Sequence, residues 1–402
     1  MLATFFGLGV AAGATPDSPD AEPDPNRRTW FVLPYASGDS DDGLGFGAGF
    51  ELARLSESHE PYRRAIMVRS YTTVRGFHNH RVIYDELGLG PRGRGRLTVR
   101  LVWRQWLNDR YFGIGNGTLR DEDRVGPFER DDPARRFYRY TLIQPFAHLM
   151  WRQDLDDRSE WQVFGVLNPK RSVVRPYADS LLEAEEPYGT LGGWSVQFHG
   201  GFLHDTRAPE LTPYQGHLLE LSGRWAPDIG GEAGGFGGVL TSFRGFFGTP
   251  RAAVATRVMA EWLFGRIPFY EMVHWGGAFP IAGVGGFATI RGLRFGRVRA
   301  PGKVVANFET RFRVVTVNIR SLPIGLELAP YVDAGAVWGA EEPVPWPLVV
   351  HPGAGLGIGL VLDETFVGRL DTAVAYDPVR QADGSVRPAT TFGVYTNFGY
   401  AF

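Results

Sequence analysis

Along much of this chain apolar and polar residues alternate strictly, the signature of strands whose two faces meet different surroundings. The C-terminus shows it most cleanly: Phe392, Val394, Thr396, Phe398, Tyr400 and Phe402 share one face, and Gly393, Tyr395, Asn397, Gly399 and Ala401 the other. Over 303–314, Ala306, Phe308, Thr310, Phe312 and Val314 oppose Asn307, Glu309, Arg311 and Arg313. In 366–376, Phe366, Leu370, Val374 and Tyr376 oppose Arg369 and Asp371; in 254–264, Val254, Val258, Trp262 and Phe264 oppose Arg257 and Glu261. A half-buried soluble sheet alternates in the same way, but its outer face rarely carries so many aromatics. Charged side chains turned toward lipid would cost several kcal/mol. The charged face therefore lines an interior, and the aromatic face meets the membrane.

Read this way, the chain holds segments at 28–36, 44–54, 62–74, 78–89, 95–107, 135–152, 160–169, 190–204, 215–226, 236–247, 250–263, 302–314, 324–337, 351–362, 365–376 and 391–402. The number is even, and the connections sort into two sets. Odd-numbered ones include the long stretches 108–134, 170–189, 264–301 and 377–390, whereas even-numbered ones are mostly short, such as Gly248-Thr249 and Asp363-Glu364. Long loops at one rim and tight turns at the other are the topology of an outer-membrane barrel. The predicted fold is thus all-β: a transmembrane antiparallel β-barrel of about sixteen strands over residues 28–402.

Composition changes this picture little. A length of 402 residues would suit two or three soluble domains. The mean hydropathy of −0.16 is too polar for a helical membrane protein, and no run approaches the ~18 apolar residues that a spanning helix needs. Averaging hides a barrel, because each strand gives lipid only every second residue. Gly at 53 residues and aromatics at 13% are high for a soluble domain. The absence of cysteine excludes disulfides and thiolate metal sites, and a net charge of −2 gives no reason to expect nucleic acid. Met1 to Ala14 is an apolar run ending in a cleavage-like Ala12-Gly13-Ala14, although it lacks a basic start, the first arginine being Arg27. It reads as an export signal, or alternatively as a short buried segment. Thr15 to Pro25 is acidic and proline-rich, a disordered linker that completes a region 1–27 ahead of the barrel.

The longest connection, 264–301, contains Ile290-Arg291-Gly292-Leu293 and is followed by the strand around Asn307-Phe308-Glu309-Thr310 and by Tyr331-Val332-Asp333-Ala334-Gly335. On these residues the chain resembles the BamA/TamA superfamily of outer-membrane assembly and translocation barrels, the bacterial surface antigen family. The resemblance implies that the loop between strands 11 and 12 folds back into the lumen. It also implies that Arg291, followed by Gly292, meets Glu309 and the Asp333 of the Asp333–Gly335 stretch on the next two strands. Ile290 and Leu293 stand where the family has Val and Phe. A guanidinium in a narrow lumen needs pairing, and two carboxylates can supply it; the other reading is a loop arginine in water. Weaker matches run along about 370 residues: Phe31 to Tyr35 with Gly45 to Gly49, Tyr111 to Asn116, Asp205-Thr206-Arg207 with Thr212 to Gly216, and an aromatic C-terminus. By the same resemblance Phe398, Tyr400 and Phe402 form the signal by which such barrels are recognised for insertion. One departure stands out. Family members carry periplasmic POTRA modules, whereas about 27 residues precede the first strand here, too few for a domain.

No catalytic signature such as G-x-S-x-G, H-E-x-x-H or a P-loop occurs, so no enzyme activity, cofactor or metal is expected. His78-Asn79-His80 reads as surface polar residues rather than a metal pair, and Asp39 to Gly43 as a solvated hairpin turn rather than a calcium loop. Gly353, Gly355 and Gly357 precede strand, not helix, and let another element approach the wall. The function expected is assembly or translocation of outer-membrane proteins by an integral outer-membrane barrel, with a weak seam between first and last strands where a client strand could pair. Expected partners are outer-membrane lipids and either unfolded outer-membrane protein clients or a periplasmic partner. The alternatives are a passive diffusion pore or structural barrel, or the membrane half of a split system.

Overall fold

Alternation over these lengths builds strands that pair with their chain neighbours. The structure, a computed structural model, describes residues 28–56, 62–124, 136–209, 212–319, 322–340, 349–362 and 366–402. The signal-like segment and linker of 1–27, part of the connection 108–134 and the turn Asp363-Glu364 lie outside the described residues. Sixteen antiparallel strands close one barrel: β1 (Arg28–Asp39), β2 (Gly43–Arg54), β3 (Arg64–Thr73), β4 (Phe77–Leu89), β5 (Gly95–Arg110), β6 (Arg139–Asp154), β7 (Trp161–Pro176) and β8 (Gly193–Asp205), then β9 (Gly216–Ala226), β10 (Phe236–Gly248), β11 (Ala252–Gly265), β12 (Gly302–Ile319), β13 (Leu322–Trp338), β14 (His351–Leu362), β15 (Phe366–Tyr376) and β16 (Thr390–Phe398). Beyond the wall, Arg120–Asp121, Val379–Arg380 and Val386–Arg387 form a small separate sheet among the long connections.

The two faces divide as the alternation requires. On β11 Arg257 and Glu261 are buried, whereas Val258, Trp262 and Phe264 are exposed outward. Apart from Trp103 midway along β5, the exposed tryptophans gather at two levels: Trp194, Trp225, Trp262 and Trp338 near the rim with long connections, Trp30, Trp151 and Trp161 near the rim with short turns. Such belts sit where the amphipathic indole meets both lipid and water.

Several boundaries differ from those read off the sequence. β5 runs to Arg110, β12 to Ile319 and β7 to Pro176, past Pro169. Pro169 remains in the strand beside Val196 of β8. On the other side the β6–β7 pairing skips from Phe146↔Lys170 to Leu149↔Leu167, and the side-chain amide of Asn168 donates to the Ala147 carbonyl at 2.7 Å instead.

The largest correction concerns the last four residues. β16 ends at Phe398, and Gly399, with φ 95°, turns the chain off the wall. Tyr400 and Phe402 therefore do not continue the lipid face; both are buried. The Tyr400 hydroxyl donates to Glu327 at 2.9 Å, and Phe402 packs with Phe246 and Ala255. Alternation persisted in the sequence because turn and strand both place large side chains two apart. The positive φ, which only glycine adopts freely, is what separates them.

Candidate functional site: the inner loop and the seam

Residues 266–301 connect β11 to β12 with scarcely any regular structure. Irregular backbone normally stays at the surface because its polar groups need water. Here most of the segment is buried, and Phe269, Ala278, Val284, Ile290, Leu293 and Val298 are wholly so. Its contacts fall on inward-facing residues from both halves of the wall: Glu271 meets Lys170 of β7, Gln197 of β8 and Arg224 of β9, while Arg291 reaches β12 and β13. The Trp275 indole donates to the Gly283 carbonyl at 2.9 Å, satisfying part of the buried backbone from within.

The structure brings Arg291, Glu309 and Asp333 together. Arg291 Nε and Nη2 donate to the two Asp333 carboxylate oxygens at 2.8 and 2.9 Å, and Nη1 donates to Glu309 Oε2 at 2.8 Å. Its backbone N–H donates to Asp333 at 3.0 Å, and the guanidinium lies 3.2 Å above the Tyr331 ring. Two glycines make the approach possible. A Cβ on Gly335 would stand 2.7 Å from Ile290 Cδ1, and one on Gly353 would stand 2.5 Å from the Arg291 carbonyl oxygen. Gly292 has φ 90°, and a Cβ there would come within 2.7 Å of the Val374 backbone. Its N–H donates to the Tyr395 hydroxyl at 3.0 Å, and its carbonyl accepts from Thr391 at 2.7 Å. The loop tip is thereby fastened to β16 as well as to β12 and β13.

The sequence did not disclose how large this network is. Arg369 donates to both Glu309 oxygens at 2.7 Å and also holds Asp371, while Arg311 Nε donates to Glu309 Oε1 at 2.9 Å. Three guanidiniums thus face three carboxylates, a balance that offsets the cost of burying any one of them. Arg257 joins through Asn307, whose amide donates to Asp333 at 2.7 Å. Inward parity was visible for Arg369, Asp371 and Arg311; which of them touch was not.

Further along the loop, Arg297 Nε and Arg120 Nη2 share Asp377 at 2.7 and 2.8 Å, tying three long connections together. Burial alone would raise the Asp377 pKa, but Arg297 and Arg120 hold it below the ordinary carboxylate range. Burial would likewise raise Glu271, which Lys170 and Arg224 keep well below that range. In the Tyr111–Asn116 stretch, Tyr111 donates to Glu185 at 2.6 Å and Asn116 bonds the Val337 backbone. Asp205 and Arg207 form a bidentate pair in their turn. His78 and His80 bond Thr72 and Ser70, and no grouping suited to a metal ion occurs among the described residues.

The second feature lies at the barrel's closure. β1 pairs with β2 along its whole length, from Arg28↔Arg54 to Asp39↔Gly43. Against β16 it shares a single position, Asp39↔Tyr395. Hydroxyls supplement it: Gly38 N–H donates to Thr396 Oγ1 at 2.6 Å and Val394 N–H to Ser40 Oγ at 3.2 Å. Pro34, with no N–H to give, lies in β1 as proline does in edge strands. Below Asp39 the described residues of β1 make no further ladder pairing on that side, while the chain after Phe398 turns inward.

The sequence matches the Omp85 superfamily domain over residues 157–402. In structure the chain is similar to BamA from Haemophilus ducreyi lacking POTRA domains 1–3, with a TM-score of 0.57 at 14% identity over 93% of this chain and 70% of that one. It is also similar to CdiB from Escherichia coli, with a TM-score of 0.56 at 12% identity over 94% of this chain and 64% of that one. The chain therefore spans less than two thirds of that CdiB chain, and at such identities the likeness is one of fold. No curated protein matches the sequence.

Proposed function

The chain belongs to the Omp85 superfamily, and on that premise we propose that this barrel assembles or translocates outer-membrane proteins by opening between β1 and β16. It is an integral outer-membrane barrel related in fold to those of BamA and CdiB. The observation that carries the proposal is the single paired position Asp39↔Tyr395, at the rim with long connections. An unpaired strand edge is a template for another strand. A client entering from the rim with short turns would find the β1 edge from Arg28 to Leu33 ready to pair, at little cost in broken ladder bonds.

In this reading Arg291 with Gly292, Glu309, Asp333 and Gly335 anchors the loop that keeps the lumen shaped while the seam moves. Tyr395 bonds both ways, to the loop at Gly292 and to β1 through its place opposite Asp39. Phe398, Tyr400 and Phe402 serve first as the insertion signal, and once folded Tyr400 and Phe402 pack inside the barrel. The partners of this reading are unfolded outer-membrane protein clients or a periplasmic partner. A passive diffusion pore is not favoured, because the loop occupies the lumen.

The test is a disulfide across the seam at Gly38→Cys and Thr396→Cys, in a chain that has no other cysteine. Reconstituted in liposomes, the reduced form should speed the folding of an unfolded outer-membrane barrel and the oxidised form should not. Equal acceleration by both forms contradicts opening at this seam.

A further inference from the structure

On the side of the loop away from Arg291 the lumen holds a cavity of about 210 Å³, far more than the ~10–15 Å³ that one water occupies. Its walls are β3 to β9, and loop residues between Glu271 and Ala282 close it. The walls are cationic. Arg69 of β3 stands directly opposite Arg81 of β4, an arrangement with Cβ atoms ~4.5–5.5 Å apart in which like charges destabilise a sheet. Arg100 of β5 is opposite His148 of β6 and one step diagonal from Arg81, whose direct partner is Val102. Arg104 follows on the same inward face, opposite Asn79.

Little among the described residues answers the charge of Arg81, Arg100 and Arg104. Glu271 is the one carboxylate lining the cavity among the described residues, and it is held by Lys170 at 2.8 Å and Arg224 at 3.4 Å. Asp85, further along β4, is taken by Arg96, Thr98 and Tyr62. Arg104 gives Nη2 to two neutral groups, Gln144 at 2.6 Å and His274 at 2.7 Å, and its buried Nε meets no acceptor. The Arg81 Nε is buried without an acceptor as well, and neither Arg81 nor Arg100 has an ion pair among the described residues. Cations without a carboxylate partner, gathered around a partly open recess, favour an anion among them. A one-sign cavity with low-dielectric walls also concentrates such an anion. The planar forks of guanidinium match an oxyanion with several oxygens, phosphate above all.

We propose that this cavity is a binding site for a phosphate-bearing anion, with Arg81, Arg100 and Arg104 as its ligands. The inference goes beyond transport at the seam and does not depend on it. The phosphate could arrive as a free oligophosphate or as a lipid headgroup, and the two sources are separable.

The experiment is isothermal titration of the full folded chain in neutral detergent at constant ionic strength in chloride. One arm uses sodium pyrophosphate and the other a water-soluble short-chain phosphatidic acid. Saturable binding of either supports the site, and the tighter probe names the source. Arg81→Gln and Arg100→Gln should each raise the half-saturating concentration about tenfold or more, the loss of one charge-assisted hydrogen bond. Both remove an uncompensated cation, and Arg81→Gln relieves the repulsion with Arg69, so the barrel keeps its fold. Absence of saturable binding with both probes, or equal affinity in wild type and variants, overturns the proposal.

Discussion

Replacing Arg291 by alanine removes one of three guanidiniums from a buried network that also holds three carboxylates. Asp333 loses both side-chain bonds from Arg291 and keeps the backbone N–H at position 291 and the neutral Asn307 amide, whereas Glu309 retains Arg311 and Arg369. The loss therefore falls on Asp333, left as a buried charge without a cation in contact. Breaking a buried pair by removing one partner costs about 3–5 kcal/mol. Urea unfolding of the barrel in detergent should show that loss, and limited proteolysis should cut within 266–301 while the strands stay resistant. Arg291→Lys should recover part of the stability, since an ammonium restores charge without the two-pronged geometry. Adding Asp333→Asn to Arg291→Ala should also recover part, because it removes the stranded charge. Wild-type stability together with wild-type protease resistance in Arg291→Ala would refute the reasoning. So would a double variant whose losses simply add.

Three further expectations rest on the geometry. Gly292→Ala, which needs a positive φ and a Cβ 2.7 Å from the Val374 backbone, should cost about 1–3 kcal/mol and expose the loop tip to protease. Asp377 is held below its ordinary pKa of about 3.9, so its contribution is present above that value and lost as pH falls through the lowered one. Cleavage of the long connections should rise below about pH 4, and Asp377→Asn should be loosened already at neutral pH with that acid step gone. Phe402→Ala, measured on barrel already inserted, should lower stability by about 3–5 kcal/mol, because the ring fills the lumen beside Phe246 and Ala255; an effect on insertion alone would leave that value unchanged.

The barrel was legible in the sequence because its two faces meet different solvents, so each strand records them residue by residue. That is why parity alone placed Arg257 and Glu261 inward and Val258 and Trp262 outward, where they are found. Glu309 and Asp333 came out inward by the same parity, and the resemblance supplied their shared partner. Contacts depending on cross-strand register were not legible. Nothing local says that Arg369 spans to Glu309 or that Arg69 stands opposite Arg81. The end of β16 was misread because Tyr400 and Phe402 keep the spacing of the strand while Gly399 turns them inward. The short seam has one trace in the sequence, Pro34 in β1, and its extent is set by where the two strands meet.

The central claim is that this barrel, through the β1–β16 seam, acts on unfolded outer-membrane proteins. Its most direct test is reconstitution of the purified chain in liposomes, timing the folding of an added unfolded barrel against protein-free liposomes. The account predicts faster folding with wild type, reduced with Arg291→Ala and abolished when the Gly38→Cys/Thr396→Cys variant is oxidised to its disulfide. Folding no faster than in empty liposomes, with the reconstituted barrel itself intact, would contradict it.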